Sequence, residues 1–126
     1  MLRIECRESQ DAILVDLIGR MHGGKETRAL KDVIKSKVES GHRKFVINLE
    51  ELEWMTSIGI GVLVESYASV RSAGGSFVLL SPTERVAQAL DITRLTPALF
   101  RVFHDESEAT AFPSAEAALI TADQTR

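Results

Sequence analysis

Two adjacent hydroxyl side chains, Thr56 and Ser57, lie where the sequence predicts the start of a helix that runs from about Ser57 to Ser72. The continuous apolar run Phe45–Leu49 lies upstream and predicts a strand buried on both faces. The first turn of a helix offers unpaired backbone N–H groups and a partial positive charge, so it favours an anion. A phosphoryl group on Ser57 would be accommodated partly by the backbone itself. The alternative is that Thr56 or Ser57 only caps the helix, and residue chemistry alone favours that simpler interpretation.

The other residues whose types could bind a ligand or take part in chemistry do not form a recognisable site. Gly23 and Gly24 could cradle a phosphate, but they lack the spacing and the lysine–hydroxyl ending of a P-loop, so a strand-to-helix turn is the simpler interpretation. His22 has no His, Cys or carboxylate at ligand spacing, so we expect no metal site. Cys6 is the single cysteine, which excludes a disulfide framework and favours a reducing compartment.

The bulk composition is that of an ordinary globular domain. The chain has 126 residues, of which 44% are hydrophobic and 26% charged, enough to bury one core without disulfides or metals. The net charge of −3 argues against a dedicated nucleic-acid binder, which usually carries a basic field. No signal peptide opens the chain and no apolar run approaches the length of a membrane span. We therefore expect a cytoplasmic protein without membrane insertion.

Hydrophobic periodicity predicts alternating strands and helices. Apolar and charged residues alternate over Leu2–Arg7, which predicts an antiparallel edge strand paired with a more buried strand that Gly19 ends. An acidic loop, residues 50–53, separates the buried strand from the Ser57 helix. The predicted elements are strands at 2–7, 12–18, 45–49, 77–80 and 99–103, and helices at 25–40, 57–72, 83–90 and 106–112.

This order predicts an α/β fold with a single domain over residues 1–112. Helices that alternate with buried strands imply a mixed, mostly parallel sheet, here of about five strands with an N-terminal hairpin, packed with about four helices. Residues 113–126 are predicted to form a C-terminal tail with a short helical piece at Ala115–Ile120 before it frays.

The Ser57 helix is apolar over an unusually wide arc. One stripe is formed by Val62, Leu63, Tyr67 and Val70, and a second stripe by Ile60, Val64 and Ala68. A helix of this kind is either deeply buried or offers part of its surface to a partner, and the pattern favours neither.

The stretches 45–49 and 55–63, the pair Gly74–Gly75, and the region from Val86 through Leu90 and Leu95 to Phe100 together resemble the STAS domain of bacterial anti-sigma factor antagonists. The resemblance covers nearly the whole chain, to about Phe112. Their order and separation carry it more than any single piece does. The resemblance implies a STAS-like fold and a switch protein without a cofactor.

The resemblance further implies partner switching. In such proteins the unphosphorylated form binds an anti-sigma factor that is also a serine kinase of the GHKL type, and phosphorylation of a serine at a helix start releases it until a serine phosphatase acts. Ser57 occupies the acceptor position, and Thr56 is the second choice. The partner-binding residues that the resemblance implies are Arg20, His22, Thr56, Ser57, Ile58, Gly59, Ile60, Gly61 and Val64. We expect glutamate at Ile58 or Ile60 to weaken binding with little change in melting temperature. A homodimer is a further partner that this surface allows.

Two departures from the family pattern distinguish this chain. The family commonly has aspartate before the acceptor serine, where this chain has Thr56. The loop after the second strand often carries acidic residues, whereas this chain reads Gly19–His22. Both changes make the surroundings less negative, and Arg20 or His22 is a candidate neighbour for a phosphate on Ser57.

Two other functions compete with the switch. A STAS interaction module without phosphorylation would serve as a signalling scaffold or as the cytoplasmic subunit of a lipid-transporting ABC system. An enzyme is the weakest alternative because it needs a base, a nucleophile and an oxyanion or metal site in one pocket. Ser57 has no identifiable histidine partner, since His22, His42 and His104 fall in unrelated segments.

Overall fold

The computed structural model describes residues 1–95 and 99–112, so the predicted tail, 113–126, lies outside the described residues. The predicted α/β class and the predicted number of helices are both confirmed. The elements in chain order are β1 Leu2–Ser9, β2 Ala12–Met21, α1 Lys25–Glu39, β3 Lys44–Asn48, β4 Leu52–Met55, α2 Ser57–Ser72, β5 Ser76–Leu80, α3 Glu84–Ile92, β6 Val102–Phe103 and α4 Glu106–Ala111.

The sheet is mostly parallel, as predicted. Its main path runs β1-β2-β3-β5-β6, and among the described strands only the β1–β2 pair is antiparallel. The hairpin turn uses Gln10 and Asp11, whose φ angles of 50° and 64° match the tight turns that suit the twist of antiparallel strands.

A sixth strand, β4, lies inside the segment that we predicted to be an acidic loop, and this corrects the strand count. Only Leu52 and Met55 of β4 are buried, whereas Glu53 is exposed. β4 pairs in parallel with the last residues of β2, where Arg20 lies opposite Trp54. A four-residue strand with acidic neighbours lacks the long apolar run or regular alternation that identifies a strand in a sequence.

The prediction that Gly19 ends β2 is wrong, because the strand continues to Met21. Gly19 has a φ of +110° and lies so close to the chain start that a Cβ atom would meet the Met1 carbonyl oxygen at 2.2 Å. The sheet register also shifts between Gly19 and Arg20. A glycine inside a strand pattern therefore marks an irregularity and a close backbone approach here, not a strand end.

The last strand is shorter than predicted. Strand β6 contains only Val102 and Phe103, while the amides of Leu99 and Phe100 both donate to the Leu95 carbonyl oxygen. Phe100 is fully buried, so its apolar character reflects packing and not strand formation.

The two faces of the sheet are covered by different helices. The larger core joins one face to α1, α2 and α3, and the smaller core joins the other face to Ala109 of α4. Phe77 and Leu79 face the first, while Val78 and Leu80 face the second, as the alternation of side chains along a strand requires. Within the described residues, no helix combines the length and the hydrophobicity needed to cross a membrane.

An arginine on the edge strand links α4 to the sheet. Arg7 Nε donates to Asp16 Oδ2 at 2.9 Å, and Arg7 Nη2 donates to Glu106 Oε1 at 3.0 Å. Burial by itself would raise the pKa of Asp16, but hydrogen bonds from Arg7 and Asn48, together with the Arg7 charge, outweigh it and lower that pKa.

Candidate functional site

The start of α2 assigns different positions to the two candidate hydroxyls. Thr56 is the N-cap residue, with an extended backbone at φ −88° and ψ 173°, and its Oγ1 accepts a hydrogen bond from the Gly59 amide at 3.2 Å. The Thr56 carbonyl oxygen accepts the first helical bond, from Ile60. Capping is therefore the role of Thr56, and Ser57 is the first residue of the helix proper.

Ser57 is exposed, and within the described part of the chain no group hydrogen-bonds to its hydroxyl. The Ser57 and Ile58 amides likewise lack partners there, as expected for the first turn of a helix. No acidic residue lies in this first turn. The position thus combines an accessible hydroxyl with backbone donors and the positive end of a 16-residue helix.

The end of β2 holds the start of α2 in place. The Thr56 amide donates to the Met21 carbonyl oxygen at 3.0 Å. Gly59 is buried against the same residue, since a Cβ atom there would lie 3.0 Å from Met21 Cγ and 3.2 Å from Met21 O. Glycine at this position lets the helix approach the strand closely, which fixes the Ser57 backbone relative to the sheet.

The loop between β2 and α1 lies beside the acceptor position and contacts two elements. His22 packs edge-on against Trp54 of β4, with ring centroids 4.8 Å apart. Gly23 lies under Ile58 of α2, because a Cβ atom built there would be 2.8 Å from Ile58 Cδ1. Ile58 is nevertheless 52% exposed. The loop, β4 and the first turn of α2 therefore form one continuous surface next to Ser57.

Arg20 is engaged with an acidic neighbour. Its Nε lies 3.4 Å from Glu53 Oε1 across the β2–β4 pair, and both side chains are more than half exposed. Ion pairs this exposed contribute little to stability and can exchange partners.

Some predicted partner-binding residues are exposed and others are not. Arg20, His22, Ser57 and Ile58 are exposed, whereas Thr56, Gly61 and Val64 are half-buried.

Gly59 and Ile60 are buried, and Ile60 belongs to the larger core with 8% exposure. The expectation that Ile60 lies on a contact surface is therefore wrong, because α2 turns this side chain towards the sheet, and we now expect glutamate there to destabilise the fold. A wide apolar arc cannot by itself show which of its stripes faces the core.

A groove of about 400 Å³ continues from Ile58 between α1 and α2. The cations Arg28 and Lys31 line it together with the anions Asp32 and Glu65, and Lys31 Nζ lies 3.0 Å from Glu65 Oε2. The formal charges cancel, so the groove favours neither an acidic nor a basic segment. No cluster of three or more His, Cys, Asp or Glu side chains suited to a metal occurs in the described residues.

Gly23 and Trp54 belong to this surface, although the sequence did not assign them to it. Gly23 contacts Ile58, which is distant in the sequence. A glycine in a strand-to-helix turn is already explained by the turn, so the sequence gives no sign of this contact. Trp54 could have been suspected, because an aromatic residue so close to the hydroxyl pair is a common anchor in protein–protein contacts.

Comparison with known proteins identifies the family. A family model described as the STAS domain matches residues 3–109. The chain belongs to the STAS-domain family. This membership confirms the resemblance drawn from the residues around Ser57.

Several of the similar proteins are named anti-sigma factor antagonists. A candidate anti-sigma factor antagonist from Thermotoga neapolitana is 37% identical over 79 residues, which cover 63% of this chain and 69% of that relative. The crystal structure of a candidate anti-sigma factor antagonist from Thermotoga maritima has a TM-score of 0.76 at 24% identity and covers 84% of this chain and 90% of that one.

The anti-sigma factor antagonist SpoIIAA has the same fold. Its unphosphorylated form superposes with a TM-score of 0.72 at 20% identity, covering 86% of this chain and 92% of SpoIIAA. Its phosphorylated form, from Bacillus, gives a TM-score of 0.65 at 17% identity over the full length of both chains.

Proposed function

We propose that this protein is an anti-sigma factor antagonist that works by partner switching. Unphosphorylated, it binds an anti-sigma factor that is also a serine kinase of the GHKL type, and so frees a sigma factor. Phosphorylation of Ser57 releases the kinase, and a serine phosphatase restores the binding form. The protein acts as a cytoplasmic regulator and not as an enzyme.

The observation that carries this proposal is that Thr56 and Ser57 have different roles at the start of α2. Because Thr56 caps the helix, the Ser57 hydroxyl is exposed and unbonded among the described residues. Thr56 is a poorer phosphate acceptor, because the residue is half-buried and its hydroxyl oxygen already accepts a hydrogen bond from the Gly59 amide. Aspartate, usual at this position in the family, is also a good N-cap. Threonine therefore preserves the helix start.

A phosphate on Ser57 would change the surface in a way that opposes partner binding. Phosphoserine carries a charge of roughly −1.5 to −2 at pH 7. This charge would lie next to the exposed apolar side chain of Ile58, where a bound partner would have to desolvate it. The exposed carboxylates of Glu50, Glu51 and Glu53 precede the helix and add to the negative field.

The relatives support the same assignment. Two curated relatives and several similar structures are named anti-sigma factor antagonists, and SpoIIAA is known in both an unphosphorylated and a phosphorylated form. The fold is thus compatible with a switch of this kind.

Mass spectrometry of the protein isolated from its native cells tests the proposal. We expect a single phosphate that maps to Ser57 and is removed by a phosphatase. Purified GHKL-type kinases from the same genome should then bind the unphosphorylated protein and transfer phosphate to it. The variant Ser57→Ala should bind but accept no phosphate, whereas Thr83→Ala, which changes the threonine cap of α3, should bind the kinase and accept phosphate as the wild type does.

Two results would contradict the proposal. One is phosphate on Thr56 alone. The other is unmodified protein under all growth and stress conditions, together with co-purification of a transporter ATPase or permease, which would favour the unphosphorylated STAS module.

Sedimentation of the purified protein with and without the kinase tests the homodimer, since a dimer that uses the Ser57 surface should dissociate when the kinase binds.

A further inference from the structure

The exposed side chain of Ile58 has an unusual support. Its inner half rests on Gly23, where an added Cβ atom would lie 2.8 Å from Cδ1, 3.3 Å from Cγ2 and 3.5 Å from Cβ of Ile58. The other half of the side chain faces solvent, with 52% of its surface exposed. Only a residue without a side chain at position 23 allows Ile58 to lie flat on the loop.

The loop beneath Ile58 is itself anchored by two contacts of His22, the residue before Gly23. The Thr27 hydroxyl, which is buried, donates a hydrogen bond to the His22 carbonyl oxygen. The His22 ring packs against Trp54. With the backbone held in this way, a methyl group at position 23 would displace the flexible end of Ile58 more readily than it would displace the loop.

Ile58 directly follows Ser57, so a protein that binds the unphosphorylated acceptor region must also meet Ile58. A large apolar side chain exposed at such a point stabilises a complex only if the partner offers an apolar recess for it. The position of the side chain then matters, because a change of rotamer would carry its methyl groups out of register with that recess.

We propose that Gly23 is a positioning residue for partner recognition: it sets Ile58 so that the β2–α1 loop and the first turn of α2 present one joint contact to an apolar recess of the kinase. This inference rests on the proposed function and adds to it the specificity of the contact. It also implies that the partner reads the loop and the helix together and not the helix alone.

Four variants test the inference with the purified kinase that phosphorylates Ser57: Gly23→Ala, Ile58→Ala, the double variant of both, and Gly24→Ala. Position 24 is the matched control, because a Cβ atom there would meet nothing within 4 Å. The measurements are the dissociation constant for the kinase and the KM and kcat of phosphorylation. The nuclear Overhauser effect (NOE) between the Ile58 δ1 methyl and Gly23 is measured in the free protein.

We expect Ile58→Ala to weaken binding about tenfold, as truncation of an apolar anchor does. Gly23→Ala should lose a similar factor and raise KM without changing kcat, and the double variant should be no weaker than Ile58→Ala. Gly24→Ala should stay within about twofold of the wild type, as surface substitutions usually do. The NOE should be present in the wild type. Melting temperatures should stay close to that of the wild type, with a small decrease for Gly24→Ala because Gly24 is the N-cap of α1.

Normal binding by Gly23→Ala, additive losses in the double variant, an equal loss in Gly24→Ala, or a missing NOE in the wild type would each overturn the inference. A wild-type protein that no GHKL-type kinase binds or phosphorylates contradicts the proposed function and the inference with it. A wild type that binds normally, alongside Gly23→Ala that also binds normally, contradicts only the inference.

Discussion

Helices α2 and α3 begin with the same capping chemistry but differ in the residues directly after the cap. Thr56 accepts a hydrogen bond from the amide of Gly59, and Thr83 accepts one from the amide of Val86, in each case three residues on. Both caps have an extended backbone and come after the end of a strand. A threonine at a helix start therefore does not by itself mark a functional site in this molecule.

The two residues after the cap differ between α2 and α3. After its cap, α2 has Ser57 and Ile58, an exposed hydroxyl and an exposed aliphatic side chain, and no acid in its first turn. Helix α3 has Glu84 and Arg85, a carboxylate that already complements the helix dipole and a charged neighbour. Glu84 thus complements the positive end of α3 from within the chain, whereas the α2 start has, among the described residues, an unbonded hydroxyl and an exposed apolar side chain that a second molecule could contact.

The largest effect that we expect is a difference in stability between variants at buried and at exposed apolar positions of the α2 start. Ile60→Glu should lower the free energy of unfolding by about 3–5 kcal/mol, because it places a carboxylate in the core without a partner. Ile58→Glu should change it by less than about 0.5 kcal/mol, since Ile58 is half exposed. Urea denaturation followed by circular dichroism measures both. Equal midpoints for the two variants would mean that the burial of Ile60 is not as described.

The next effect tests whether a charge at the first helical position matters only in α2. Ser57→Glu should weaken kinase binding about 100-fold, because a carboxylate beside Ile58 must be desolvated in the complex. Glu84→Gln removes the corresponding charge of α3 and should leave binding unchanged. Isothermal titration with the purified kinase gives both constants. Tight binding by Ser57→Glu would argue that the acceptor region lies outside the contact.

Removal of the two caps should have smaller and unequal effects. Thr56→Ala should cost about 1 kcal/mol of stability, the usual value for loss of a threonine cap. Thr83→Ala should cost about 1–2 kcal/mol, because the Thr83 hydroxyl also donates to the Leu52 carbonyl oxygen at 3.2 Å and ties α3 to β4. Thermal unfolding of both variants, with serine at each position as the conservative control, measures the difference. A larger loss for Thr56→Ala would reverse the ranking.

The smallest effect that we expect is a dependence of stability on pH. Acid should not change the contributions of the Thr56 and Thr83 caps, because threonine does not titrate. The lowered pKa of Asp16 means that its contribution to stability is present above about pH 4 and is lost as pH falls through the lower folded-state pKa. Arg7→Ala should therefore cost about 1 kcal/mol or less at pH 6, since the pair is partly exposed, and still less at pH 3. Urea midpoints at the two pH values check this. An Arg7→Ala cost that does not change with pH would remove Asp16 as the cause.

The elements that the sequence predicted well are those with local signals. Helix α2 has the predicted bounds, because the hydroxyl pair at its start and the glycine pair after its end act within a few residues. Strand β4 was missed because it is short, acidic and stabilised by pairing with the distant end of β2. The sequence pattern predicts a strand end at Gly19 because it does not show the Met1 carbonyl oxygen that approaches this residue.

Some features of the candidate site likewise follow from local sequence signals, and others follow only from the tertiary structure. The sequence alone determined that a helix begins at Ser57, that two hydroxyls lie at its start and that the surroundings match the STAS family, because these depend on neighbouring residue types. Only the tertiary structure decided that Thr56 is the cap and Ser57 the free hydroxyl, since the Met21 carbonyl oxygen holds the Thr56 amide. It also decided that Ile60 is buried while Ile58 rests exposed on Gly23. Exposure depends on which elements pack together, and that is a property of the whole fold.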